Sequence, residues 1–394
     1  MRKVKGWMSS GSASSVFAAV CALTMVLLWT GPALAETWSI QTIDSAGVVG
    51  VGISLALDEA GNPHVSYIVD VWTPKYAAWH GTSWSFDQPN PYPFGLGADQ
   101  TSLALDSAGN PRLSYNRANG YEYASYDGSS WSHTDFDERC DSMPGSTASL
   151  VLDSADNPRI SYYDGDLVSP TPRDLKYAAW TGSSWSIQTV DSAGSVGYYN
   201  SLAVDSVDNP CISYSSSGGL RYAAWNGSAW DIQTIGGGSE PSLALDSADT
   251  PHIGYYDATS GDLKYAFWTG SAWDIQTVDS AGDVGQAPSL ALDADGNPHI
   301  SYYEEINSYL EGNLKYAAWD GSSWTIQTVD TGAVGADSSL ALDSDGNAYI
   351  AYGHMTTPGR SIKLAIGQNV IVPEPATLSL LTLGLGLLIR RRRD

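Results

Sequence analysis

A segment reading Ser-Leu-Ala-Leu-Asp, or a close variant of it, begins at Ser54, Ser102, Ser149, Ser201, Ser242, Ser289 and Ser339. The intervals between copies are 48, 47, 52, 41, 47 and 50 residues. A period in the forties that holds only short strand-forming runs fits a four-stranded β-propeller blade. Seven copies therefore predict an all-β, seven-bladed propeller. Length alone would predict two or three domains for 394 residues, but one array takes up nearly the whole chain.

Each repeat resolves into four runs. In the sixth they are Ser289–Asp293, His299–Tyr303, Leu314–Trp319 and Trp324–Val329. They are rich in Trp, Tyr, Ile and Val and bounded by Gly, Asn, Asp and Pro, as strands are. The Leu-Ala-Leu core of the first run is apolar throughout, which predicts an inner strand buried on both faces. Between the third and fourth runs, Trp319-Asp-Gly-Ser-Ser-Trp324 recurs as Trp79–Trp84, Trp180–Trp185, Trp225–Trp230 and Trp268–Trp273, with Tyr126 opposite Trp131 in the second repeat. Gly then Ser at the centre suits a two-residue type II′ turn, which places the flanking aromatics side by side at a non-hydrogen-bonded site.

The seventh repeat supplies three strands, at Ser339–Asp343, Tyr349–Tyr352 and Ser361–Ile366, and then runs out. Its fourth strand is found ahead of the first repeat, at Trp38–Ile43. Pairing Trp38–Ile43 with Ser361–Ile366 closes the ring and covers two sheet edges.

Both ends read as targeting segments. Arg2, Lys3 and Lys5 precede an apolar run from Val16 to Trp29, Gly31 and Pro32 break it, and Ala33-Leu34-Ala35 offers a signal-peptidase site. Residues 1–35 are thus expected to be a signal peptide cleaved after Ala35, with the propeller spanning 36–372. Cys21 lies within the apolar run behind Ala-Ala-Val and lacks the upstream leucine of a lipoprotein anchor. At the other end, Pro373-Glu374-Pro375 is followed by apolar residues from 376 to 389 and by Arg390–Arg393. Fourteen apolar residues are short for a membrane span of about 20, and the arginines would stay on the cytoplasmic side.

Setting aside the seven basic and two acidic residues of these ends leaves 12 Lys and Arg against 41 Asp and Glu. That balance repels nucleic acid and anionic membrane and excludes both as partners of the array. Cys140 and Cys211 sit at non-equivalent repeat positions, so no disulfide framework is expected.

The tail from Val372 to Asp394 resembles the PEP-CTERM sorting signals of Gram-negative bacteria on its Pro-Glu-Pro motif, short apolar helix and basic end. The resemblance implies handling by an exosortase, transient or lasting membrane anchoring through residues 376–389, and delivery to the cell surface, outer membrane or exopolysaccharide matrix. The array resembles sialidase-like and lectin-like propellers. Their Asp-box, Ser-x-Asp-x-Gly-x-Thr-Trp, occupies the same turn as Asp320-Gly321-Ser322-Ser323-Trp324. Here the Asp stands one residue too close to the Gly, which implies shared architecture without sialidase chemistry.

Turns after first and third strands share one face and vary little. Loops after second and fourth strands share the other and vary widely, as at Asp164–Asp174, Ser215–Gly219 and Glu304–Asn313. Variable loops on a constant scaffold are where function usually resides. Three strand ends point that way: Tyr162-Tyr163-Asp164, Tyr255-Tyr256-Asp257 and Tyr302-Tyr303-Glu304. Tyr163, Asp164, Tyr256, Asp257, Tyr303 and Glu304 are the candidate ligand residues. The rings would stack on a sugar and the acids would accept its hydroxyls, and the plainer alternative is strand aromatics beside a solvated acidic turn.

Asp-x-x-x-Asn turns recur at Asp58–Asn62, Asp106–Asn110, Asp153–Asn157, Asp205–Asn209, Asp293–Asn297 and Asp343–Asn347. Calcium is the cation such a pattern would take, yet the bidentate Glu of an EF-hand is missing and a tight turn demands the same residues. No cofactor is required. His64, His252 and His299 share a position filled elsewhere by Arg112, Arg159, Cys211 and Tyr349, which reads as structural filling. No Ser-His-Asp motif, zinc spacing or glycine-rich helix start is present, so no catalytic residue is assigned. The expected function is a surface or matrix binding protein that recognises carbohydrate; the alternative is a propeller glycoside hydrolase or lyase using two acids of the variable face.

Overall fold

The computed structural model describes residues 37–46, 49–70, 73–90, 100–117, 120–137, 147–165, 173–307, 311–356 and 359–368. The signal segment with Ala35, Cys140, and the tail with Pro373, Glu374 and Pro375 lie outside them. Twenty-eight strands form seven antiparallel four-stranded sheets. No helix occurs among the described residues.

Six sheets follow chain order, and the seventh combines Val334–Leu342, Ala348–Thr356 and Gly359–Gln368 with the N-terminal strand Thr37–Asp44. The register runs from Thr37 opposite Gln368 to Asp44 opposite Ile362. The ring thus closes through the displaced strand, as the sequence predicts.

The first strand of each sheet lies against the first strand of the next around the whole circle. Its inner edge has no ladder partner within its own sheet, and the repeated serine solves that problem. Each serine Oγ accepts the leucine N–H of the following blade: Ser54 from Leu103, Ser102 from Leu150, Ser149 from Leu202, Ser201 from Leu243, Ser242 from Leu290, Ser289 from Leu340, and Ser339 from Leu55. Seven bonds make a closed circle. Leaving such amides unpaired would cost about 1–3 kcal/mol each, which accounts for the serine in every copy.

The innermost strand is less buried than its apolar run predicts. Leu55, Leu103 and their equivalents are buried, but the next two residues of each copy are only half-buried. One face of this strand turns toward the axis, while the second strand is covered by neighbouring blades on both sides. The pairs Val65/Tyr67, Leu113/Tyr115, Ile160/Tyr162, Ile212/Tyr214, Ile253/Tyr255, Ile300/Tyr302 and Ile350/Tyr352 form the deep core.

The hairpin between third and fourth strands matches its predicted register. Trp319 stands opposite Trp324, with ring centroids 5.5 Å apart. Asp320 donates its N–H to the Ser323 carbonyl, and its carboxylate accepts the amides of Ser322 and Ser323. Gly321 takes φ +90°, which the first central position of a type II′ turn requires.

Blades are joined by a recurring clamp. The second-strand tyrosine hydroxyl donates to a carboxylate that ends the fourth strand of the preceding blade: Tyr67 to Asp44, Tyr162 to Asp137, Tyr214 to Asp191, Tyr302 to Asp279 and Tyr352 to Asp330, all at 2.7–2.8 Å. A third-strand cation completes it, as Lys315 does 2.6 Å from Asp279. Burial alone would raise Asp279, but Lys315, Tyr302 and the Ala281 amide together hold it below its ordinary pKa. Blade two builds a variant within itself, from Tyr115, Glu122 and Arg117. Blade five has none, because Gly236 stands where Asp191, Asp279 and Asp330 stand in the other sheets.

Candidate functional site

The Asp-x-x-x-Asn turns use their carboxylates internally. Asp293 Oδ1 accepts the amides of Asp295 and Asn297, and Oδ2 accepts the Asn297 side chain. The others repeat the pattern, with Arg112 on Asp106 and Arg159 on Asp153. His64 and His299 sit between such an Asp and a tyrosine hydroxyl, as His252 does with Asp246 of the equivalent Asp246–Thr250 turn. Burial pushes all three imidazoles below their ordinary pKa, so they fill the blade seams as neutral rings.

The Tyr-Tyr-acid triplets divide. The first tyrosines, Tyr162 and Tyr302, belong to the clamp, while Tyr255 is buried without a carboxylate opposite. Of the second tyrosines, Tyr163 is 1% exposed and Tyr303 6%, so neither presents a face for a sugar to stack on. The strand is covered on both faces at this height, which strand alternation alone does not show. Tyr256 remains half-buried at the surface and donates to Asp283 Oδ1 at 2.7 Å. The acids are half-buried and occupied. Asp164 is paired with Lys176, Asp257 caps its own turn through the Thr259 amide, and Glu304 accepts the Asn313 side chain at 2.7 Å. In blade six the expected loop Glu304–Asn313 is mostly ladder, with Glu304 opposite Asn313 and Asn307 opposite Glu311.

A position that the sequence reading passed over lies at the centre of the same face. Two residues before the serine of each repeat stand Gly52, Gln100, Thr147, Tyr199, Glu240, Ala287 and Asp337. Seven copies carry seven different residues, directly beside the least variable segment in the chain. In five blades the ladder skips this position: the register jumps between Val51 and Ser54, Val196 and Asn200, Ser239 and Ser242, Gln286 and Ser289, and Val334 and Ser338. A bulge frees a side chain from the sheet and re-aims it. Glu240 and Ala287 also take φ of 53° and 46°, a left-handed backbone that a non-glycine residue adopts at a cost. These positions follow one another round the inner strands, at the end fed by the variable loops, and so surround the axial mouth on that face.

Two carboxylates reach round that ring. Glu240 Oε2 accepts the Ala287 amide at 2.7 Å, and Asp337 Oδ2 accepts the Gly52 amide at 2.6 Å, each from the equivalent position of the next blade. Burial raises the Glu240 pKa, with the Ala287 amide pulling the other way. Burial, then the charges of Glu240 and Asp337, push the Tyr199 phenol up to about 12. Tyr256 rises to about 12 through burial and its bond to Asp283, with Glu240 contributing. Glu240 therefore sits within electrostatic reach of two phenols, one of them a residue that the sequence singled out. Buried Tyr163 supports the group from below: it packs edge-on against Tyr198, which packs edge-on against Tyr199.

On the opposite face lie two clefts of about 320 and 280 Å³, between blades two and three and between blades three and four. They are lined by corresponding residues: Arg112, Tyr123 and the Trp180/Trp185 pair in one, Arg159, Tyr177 and the Trp225/Trp230 pair in the other.

The model of the PEP-CTERM protein-sorting motif matches residues 372–393. That motif marks the chain as an exported, surface-sorted protein. No curated protein matches the chain. Among solved structures, the chain is similar to the Aleuria aurantia lectin in complex with Fucα1-6GlcNAc, at 16% identity and a TM-score of 0.50, over 72% of this chain and 96% of the lectin. It is similar to a Dyadobacter fermentans protein of unknown function, at 11% identity and a TM-score of 0.52, over 86% and 100%. The polysaccharide lyase Uly1 aligns at 9% identity and a TM-score of 0.50, over 80% and 89%. At such identities the likeness is one of fold.

Proposed function

We propose that the chain is a glycan-binding protein of the bacterial surface or extracellular matrix. On this reading its signal peptide is removed after Ala35, and an exosortase-type enzyme takes it up through Pro373-Glu374-Pro375. The ligand lies over the axial mouth of the variable-loop face, with Tyr199 and Tyr256 as aromatic contacts and Glu240 and Asp337 as acceptors. Asp164, Asp257 and Glu304 form the outer rim. The observation that carries this reading is the ring position, bulged in five blades, where an otherwise repetitive scaffold places seven different residues at one level. The acidity of the segment favours a neutral or cationic hydroxyl-rich ligand, and calcium would extend the range to acidic polysaccharide by bridging carboxylates.

A hydrolase or lyase is the second reading, and one observation favours it. Burial raises the pKa of Glu240 beside two phenols, the direction in which a general acid is tuned. A glycan array probed with the full chain, with and without calcium, tests binding. The triple variant Asp164→Ala, Asp257→Ala, Glu304→Ala should bind more weakly with only a modest fall in its melt, since Asp137 and Asp279 still neutralise Lys176 and Lys315. Unchanged binding removes these three from the site, and no binding to any neutral glycan contradicts the proposal. New reducing ends or unsaturated products in the same incubation replace binding with catalysis.

A further inference from the structure

We propose that the two seam clefts on the constant-turn face are a matched pair of sites, each taking a single neutral pyranose unit. They are independent of the axial mouth. Their size is near the lower end for ligand pockets, enough for one sugar ring and too small for a chain laid lengthwise.

The chemistry of each wall follows from the repeat. The Trp180/Trp185 and Trp225/Trp230 pairs hold their rings edge-on at 5.4 and 5.5 Å and give the apolar surface on which the C–H face of a pyranose packs. Opposite stands an arginine, present at this position only in blades two and three. Arg112 is fixed by Asp106 at 2.6 Å and by the Tyr126 carbonyl at 3.0 Å. Two of its five N–H donors are thereby used, and the rest remain for sugar hydroxyls. Arg159 is held by Asp153 through Nε and Nη2 and also bonds to the Tyr177 hydroxyl, which leaves it fewer spare donors than Arg112. The turn of the next blade adds Asp156 in one cleft and Asp208 in the other, each already oriented by a serine amide and hydroxyl.

The other seams lack this arrangement. Where histidine takes the arginine position, a ring with two nitrogens, one of them bonded to the third-strand tyrosine, replaces the five-donor guanidinium, and in blade five Phe267 stacks on it. The indole N–H groups differ as well. Trp273 and Trp324 donate to Gln233 and Gln276, whereas Trp185 and Trp230 are buried without an acceptor in the protein. Trp84 shares that want, but its seam presents Tyr349 where the clefts present arginine. Each cleft thus combines an aromatic wall, surplus donors and one oriented carboxylate. The arginine charge is already cancelled by its own Asp and the second Asp leaves the cleft negative, so an anionic sugar is disfavoured.

Saturation-transfer NMR on the full chain tests this with methyl glycosides of glucose, galactose and mannose, and with methyl galacturonoside as the charged comparator. At least one neutral glycoside should show transfer. Its signal should fall to about half in Trp180→Ala or Trp225→Ala and by at least tenfold in the double variant. Trp268→Ala removes the same hairpin pair at a seam without arginine and should keep the signal. Should the double variant fail to fold, Arg112→Lys with Arg159→Lys keeps both ion pairs, loses the planar fork and should lose the signal. Transfer that survives either double variant, transfer to the galacturonoside alone, or none at all overturns the proposal. Glu240→Gln separates the two faces: signal surviving it belongs to the clefts, and signal lost with it belongs to the axial mouth and overturns the assignment made here.

Discussion

The seams on the two sides of blade five are built differently. Toward blade six, Tyr302 donates to Asp279, Lys315 lies 2.6 Å from the same carboxylate, and its ammonium sits 5.7 Å from the Tyr302 ring centroid. Toward blade four, Tyr255 meets Gly236-Gly237-Gly238, and a Cβ on Gly238 would come within 2.4 Å of the Tyr255 ring. The carboxylate is gone and glycine lets the chain pass closely. Two residues further on stands Glu240, with its left-handed backbone and raised pKa. The scaffold gives up its own rule next to the most unusual acid in the ring. Consistency across repeats is what makes an array fold, and the departures from it are where a function is to be sought.

The comparison can be broken most forcefully by opening the ring. Deleting Glu36–Asp44 removes the strand paired with Gly359–Gln368 together with Asp44, the clamp on blade one. Tm should fall on the order of 10 °C or more, and an unchanged melt would sink the closure model. Asp279→Ala comes next, because it leaves the buried Lys315 ammonium with only Glu304, 3.9 Å away, at a cost of about 3 kcal/mol, the low end for a broken buried pair. Tyr255→Phe, at the seam with no clamp, should cost under about 0.5 kcal/mol. Equal losses in the two denaturant titrations would show that the clamp is not what distinguishes the seams.

Acid should act in the same order at smaller amplitude. Asp44, Asp191, Asp279 and Asp330 are each raised by burial, but hydrogen bonds and a neighbouring cation more than compensate and leave them below the ordinary 3.8. Carboxylates lowered on folding contribute stability above their unfolded pKa and lose it as pH falls through the folded value. Hydrogen exchange followed downward from pH 4 should show the clamped seams loosening while the seam into blade five changes little. The smallest effect is a gain. A Cβ on Gly236 meets only Ile275, at 3.7 Å, so Gly236→Asp has room to offer Tyr255 the missing carboxylate. About 1 kcal/mol of added stability is expected, accompanied by weaker glycan binding at the mouth beside it.

The architecture was readable because periodicity is a long signal. Seven copies of Ser-Leu-Ala-Leu-Asp fixed the blade count, and the lone strand at Trp38–Ile43 could only complete the last blade. The cross-strand Trp pairs followed from Gly321 and its equivalents. The site was readable only in outline. Tyr163 and Tyr303 look like surface aromatics because they end strands, yet Tyr163 packs against Tyr198 of the next blade and Tyr303 lies over Gly312 of its own, contacts that strand alternation does not show. Glu240 was overlooked because attention to repeats favours what recurs. The signal that could have found it is the reverse one, a position that never repeats beside a serine that always does.

The most direct test is a calorimetric titration of whichever neutral polysaccharide the full chain retains on the array, into the parent and into Glu240→Gln. The amide keeps the shape and an acceptor for the Ala287 N–H while removing the charge. The account predicts affinity at least about tenfold lower, the loss of roughly 1.4 kcal/mol expected when a charged hydrogen bond is replaced by a neutral one, with the melt of the variant no lower than that of the parent. Equal affinity in the two titrations would place the ligand away from the axial mouth and contradict the central claim.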